Sequence, residues 1–131
     1  MAEGEKAEKI TINLGMVDLG RIDLLVAEGF YTNRTDFIRS AIRNQLEASS
    51  DEISQMVNRR TLVLGTEHYS RSRLEELRAA GEVVHIRVLG LATIAKNVSP
   101  ELALATIASV EVLGAFRANP EVKQALASRV I

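Results

Sequence analysis

The sequence predicts two units of different class: an α+β unit of one strand and two helices over residues 9–48, and a small α/β region of three strand–helix repeats with parallel strands over residues 60–131. Three observations carry this reading. "KITINL" at 9–14 alternates apolar Ile10, Ile12 and Leu14 with polar Lys9, Thr11 and Asn13, the period of a half-buried strand. Two stretches with helical spacing of apolar residues follow it, and no second strand lies within hairpin distance. The tripeptide Val-Leu-Gly then recurs at 63–65, 88–90 and 112–114, each time ahead of a helix-like segment.

Composition narrows the classes. At 131 residues, 47% apolar and 25% charged, the chain fits one ordinary domain or two small ones. Cysteine is absent, which excludes disulfide frameworks and thiolate metal sites. No apolar run reaches the length of a membrane span. The opening "MAEGEKAEK" is acidic and polar, unlike a signal peptide, so a cytoplasmic location is expected. Net charge is −1 but unevenly shared: residues 1–58 carry six Lys/Arg against ten Asp/Glu, residues 59–131 ten against seven.

Taken in order, residues 1–8 read as a flexible arm and 9–14 as a strand without a partner. An unpaired strand leaves backbone donors and acceptors unsatisfied. Two short helices bury too little apolar area to be stable alone. The strand is therefore expected to pair with its copy from a second chain. After Gly15, Leu19, Ile22, Leu25 and Val26 recur at helical spacing, and Gly29 falls where a left-handed C-terminal cap belongs. Asn33 is a good N-cap, with Asp36 supplying an acid three residues later. Phe37, Ile38, Ala41, Ile42, Gln45 and Leu46 make the inner stripe of the helix that follows.

"KITINL" followed by "RIDLLVAEGFYTNRTDFIRSAIRNQL" resembles the ribbon-helix-helix (Arc/CopG-like) DNA-binding family over about residues 8–47, with Gly15 standing where that family commonly has proline. The resemblance implies an intertwined dimer whose two strands form an antiparallel ribbon that enters the DNA major groove. On that reading Ile10, Ile12, Leu14, Phe37, Ile38 and Ile42 form the dimer core. Lys9, Thr11 and Asn13 point outward to base edges, where Lys suits guanine, Asn suits adenine, and Thr offers a hydroxyl and a methyl. Asn33, Arg34 and Thr35 open a helix whose free N–H groups would meet the phosphate backbone, with Lys6 as a further phosphate contact. Arg59 and Arg60 could add positive charge to offset the acidic first half.

"EASSDEISQMVNRR" joins the halves. Over residues 49–59 it reads as a connecting helix or linker, Ser49 and Glu52 having capping-box spacing, or as the previous helix continued past a kink at Ser49-Ser50. Beyond it, "TLVLG" (61–65), "IRVLG" (86–90) and "VEVLG" (110–114) lie 25 and then 24 residues apart, with a leucine twelve residues after each glycine: Leu77, Leu102 and Leu126. Ser70, Ser99-Pro100-Glu101 and Asn119-Pro120-Glu121 mark helix starts. Such units imply a parallel sheet with right-handed crossovers or a short solenoid of the leucine-rich-repeat kind. In either, Arg87 and Glu111 become cross-strand neighbours of opposite charge. The last segment, "ASRVI", offers no polar cap, which points to an assembly module that joins dimers.

No catalytic constellation, cofactor motif or metal site is expected. His68 and His85 are seventeen residues apart, and neither a phosphate-binding glycine loop nor a paired-acid motif is present. The function expected is a dimeric transcriptional regulator, not an enzyme, with double-stranded DNA and itself as partners, no membrane, and a C-terminal oligomerisation module. The alternative is a self-assembling scaffold that uses the first unit only as a dimer clasp. An antitoxin role is disfavoured, because residues 60–131 are too regular and apolar for a flexible toxin-binding tail.

Overall fold

The computed structural model describes residues 7–131, in two compact units that meet between Ser54 and Gln55. In the first unit, residues 7–15 form no backbone ladder within the chain and are exposed throughout. Helix α1 spans Met16–Ala27 and α2 spans Arg34–Ala48. Gly15 caps α1 with φ −65°, the value proline imposes. At the other end Gly29, at φ +86°, closes the helix. Its N–H donates to the Val26 carbonyl at 3.1 Å, and that of Phe30 to Leu25 at 3.0 Å, the paired bonds of a Schellman ending. Asn33 accepts from the Asp36 N–H at 2.8 Å, and the Asp36 carboxylate accepts from the Thr32 N–H at 2.9 Å, so the expected reciprocal cap is made one residue early. The Tyr31 and Phe37 rings meet edge to face at 5.0 Å.

The chain breaks at Ser49, where α2 ends, and resumes as helix α3, Ser50–Arg60. The joining segment is thus a separate helix, and the division between the units falls inside it rather than at the Ser49-Ser50 break.

The second unit is a three-stranded parallel sheet of order β1-β2-β3: Val63–Tyr69, Val84–Ile94 and Ile107–Arg117. Helices α4 (Arg71–Ala79), α5 (Pro100–Thr106) and α6 (Pro120–Ala125) follow the strands in turn. All three expected caps form: Ser70, Ser99 and Asn119 accept from the N–H groups of Arg73, Leu102 and Val122. The glycine-to-cap distance is four residues longer in the middle repeat. A turn at Ala95–Val98 absorbs the excess, and α5 offsets it by running straight into β3, so the period survives. Asn119 ties that turn down, its Nδ2 donating to the carbonyls of Lys96 and Val98 at 3.2 Å.

One core fills this unit. Ile86, Val88, Ala92 and Ile94 of β2 alternate inward against Leu74, Leu102, Val122 and Leu126 of the helical layer, all buried. Burying each large aliphatic side chain contributes about 1.5–3 kcal/mol relative to exposure. Of the two expected architectures, the structure carries the features they share: parallel strands, each followed by a helix.

The strands are longer than the recurring pentapeptides suggested, because the Val-Leu-Gly glycine does not end them. Gly65, Gly90 and Gly114 pair across the sheet in one row, with φ of +129°, +141° and +120°, and the strands run on beyond them. At Gly90 and Gly114 the sheet leaves no room for a side chain. A Cβ on Gly90 would lie 2.1 Å from the Gly65 carbonyl oxygen, and one on Gly114 2.1 Å from that of Gly90.

Candidate nucleic-acid interface

In the first unit the sequence places apolar residues at helical spacing on both helices, yet one chain buries little of them. Among its described residues only Ile22 is buried. Ile12, Leu14, Ile22, Phe37, Ile38 and Ile42 line an open groove of about 460 Å³ between the helices and the segment before α1. Ile42 is 46% exposed and Ile12 57%. Five of the six residues assigned to a dimer core therefore converge on one groove. Ile10, 74% exposed, stands outside it. Lys9, Thr11 and Asn13 are exposed.

At the start of α2 the residues assigned to phosphate are engaged in different ways. The Asn33 side chain is committed to the cap. Arg34 reaches back to α1 and grips Asp23 with two hydrogen bonds, 2.8 and 2.9 Å long. Those bonds hold the Asp23 carboxyl below its ordinary range and raise the Arg34 guanidinium above its own. Thr35 is exposed. Lys6 lies outside the described residues.

Two cations that the sequence reading passed over stand here as well. Arg39 and Arg43 follow Thr35 at four-residue spacing, one above the other on a single face of α2. With Thr32, Asn33, Thr35 and Asp36 they line a shallow polar hollow of about 370 Å³. Among the described residues neither arginine makes an ion pair. The signal was in "TDFIRSAIR": a threonine and two arginines at i, i+4 and i+8, hidden by attention to the apolar stripe beside them.

Several charges of the second unit are engaged within its own fold. Glu111 pairs in register with Arg87 across the sheet, as the repeat implied, yet its carboxylate is held by Arg60. Arg60 is therefore tied down rather than free to supplement the first half. The histidines bridge strands, His68 Nδ1 to Thr93 Oγ1 at 2.6 Å and His85 Nδ1 to Ser109 Oγ at 2.9 Å. Arg73 lies over the Tyr69 ring, 4.4 Å from its centre, while burial pushes the Tyr69 phenol up. Among the described residues no three side chains of metal-ligand type come together, and no helix is long and apolar enough to cross a membrane.

Against known proteins, residues 5–123 match the model of a family described as the ribbon-helix-helix transcriptional regulator family. No curated protein and no solved structure matches the chain.

Proposed function

This chain belongs to the ribbon-helix-helix transcriptional regulator family, and from that premise we propose that it is a homodimeric DNA-binding regulator, with the second unit as an assembly module. The observation that carries the proposal is the apolar groove of the first unit. A strand segment without a ladder and two helices with one buried residue are half of a core. A second copy of the same segment supplies the other half: Ile10, Ile12 and Leu14 from both chains close over Phe37, Ile38 and Ile42, and the two strands satisfy each other's backbone groups.

Pairing the strands turns Lys9, Thr11 and Asn13 of both chains onto one outer face, the face that reads base edges. The start of α2 meets the phosphate backbone through the N–H groups near Asn33 and through Thr35, Arg39 and Arg43, with Lys6 adding charge. Arg34 contributes to phosphate binding only by leaving Asp23; while paired, it fixes α2 against α1.

The acidic balance of residues 1–58 favours a second reading, in which the first unit only clasps two chains of a scaffold. Anisotropy of full-length protein on duplex DNA across a salt series separates the two. A regulator shows log affinity falling steeply with log salt. Replacing Lys9, Thr11 and Asn13 together by Ala removes sequence preference while the dimer persists. Replacing Arg39 and Arg43 by Ala weakens binding on all sequences and flattens the salt slope by up to about 0.9 per lost phosphate contact. Absence of binding at low salt leaves the scaffold.

A further inference from the structure

We propose that the second unit assembles head to tail, the β1 edge of one copy pairing in parallel with the β3 edge of another, so that the three-stranded sheet continues from chain to chain. This deepens the assembly role above by naming the surface, its occupant and its polarity.

The chain already makes this interface twice. Val63-Leu64-Gly65 pairs in register with Val88-Leu89-Gly90, and that segment pairs with Val112-Leu113-Gly114. A third junction, β3 to the next copy's β1, sets Val-Leu-Gly on Val-Leu-Gly once more. At the Val-Leu-Gly segment both edges carry apolar side chains rather than the charges and prolines that usually blunt a free strand. Val63 is 47% exposed, Leu64 69% and Leu113 43%.

Glycine geometry fixes the polarity. Each internal junction packs the carbonyl of one glycine against the bare Cα of the next: Gly65 on Gly90, and Gly90 on Gly114. Gly65 has the same left-handed backbone, φ +129°, with nothing within 4 Å of where its Cβ would be. It is shaped for a carbonyl that its own chain does not supply. The row supplies one at the other edge, on Gly114. Pairing β1 with β1, or β3 with β3, would set like against like; only the heterologous junction repeats the internal contact.

The C-terminal segment touches the same edge of β3 at Val110. Val130 bridges Val110 in parallel, and the Ile131 N–H donates to the Val110 carbonyl at 2.8 Å. That contact lies two residues before Val112, the residue level with Val63 in the repeat.

The test is sedimentation of the full-length protein over a concentration series, with Leu64→Lys and Leu113→Lys separately and mixed. Wild type should form species larger than a dimer. Each variant puts a charge into one side of the junction and should assemble at least about tenfold more weakly. Mixing them should restore species larger than a dimer, because the intact β3 edge of one variant meets the intact β1 edge of the other and the proposed first-unit dimer links such pairs. That rescue also shows that both variants fold; Thr66→Lys and Ala115→Lys, two residues along, replace either one if its circular dichroism departs from wild type. A wild type no larger than a dimer overturns the proposal. So does a mixture that stays small, the result expected if the sheet's open face were the contact. Failure of the DNA reading leaves these outcomes unchanged, since no DNA is present.

Discussion

The two units solve the problem of burying apolar surface in opposite ways. The second closes a core within one chain: Leu74, Ile86, Val88, Ile107 and Leu126 are all fully buried there. The first leaves Ile12, Ile42 and Leu46 about half exposed and buries Ile22 alone among its described residues. Both show regular helices with well-made caps, so local structure does not distinguish them. What differs is the number of layers. The second unit has a sheet and a helical layer, which is enough for a core. The first has a single layer of two helices preceded by a segment without a ladder, and on the proposed reading a second copy makes the other layer.

The strongest way to break this comparison is Ile42→Asp. If Ile42 were an ordinary surface residue, the change would move stability by less than about 0.5 kcal/mol. As part of a core completed by a second chain, it should abolish folding of the first unit and with it the dimer, while the second unit keeps its own melting transition. Calorimetry and sedimentation decide between the two. The next largest effect is expected from Ile86→Ala. A cavity in a core complete within one chain costs about 2–5 kcal/mol. Measured by denaturant in the Leu64→Lys background, where stacking is weakened, that loss should not vary with protein concentration, whereas the first unit's midpoint should rise with it.

A smaller effect sharpens the account of the first unit. Gly15 sits at φ −65° with nothing near its Cβ position, so Gly15→Pro should stabilise the first unit by about 0.4–1 kcal/mol by restricting the unfolded chain. Thermal melts show it as a higher midpoint for the first transition only. The smallest expected effect concerns acid. Asp23 titrates lower in the folded chain than in the unfolded one because Arg34 holds its charged form. Its contribution is therefore complete above the ordinary carboxylate range and is lost as pH falls through the lowered folded value. Both partners are about half exposed, so the loss should be slight. Comparing wild type with Asp23→Asn across that acid range should show the gap in first-unit stability closing as pH drops.

Much of the fold was legible, because its signals are local. Asn33, Ser70, Ser99 and Asn119 cap helices wherever the helix sits, and Gly29 ends one by its own backbone freedom. The parallel sheet followed from strand–helix alternation, and the pairing of Arg87 with Glu111 from counting along the repeat. The candidate interface was less legible. Arg34 reads as a phosphate ligand until Asp23, eleven residues earlier, is found beside it. Arg39 and Arg43 become a pair only on a helical face shared with Thr35. Arg60 looked available until Glu111, fifty-one residues away, closed on it.

The sequence by itself determined the two helices of the first unit and the strand–helix order of the second, the helix caps, the division into an acidic first half and a basic second half, and the recurring Val-Leu-Gly that pairs in register across the sheet. Periodicity, capping chemistry and charge are properties of neighbouring residues, so no distant contact is needed to read them. Tertiary structure alone decided which charges are neutralised, how far each strand runs past its glycine, and that Gly65 shares the left-handed backbone of Gly90 and Gly114 with nothing packed against it. These depend on residues brought together from eleven to fifty-one positions apart, or on a close approach between backbones that no single stretch of sequence records.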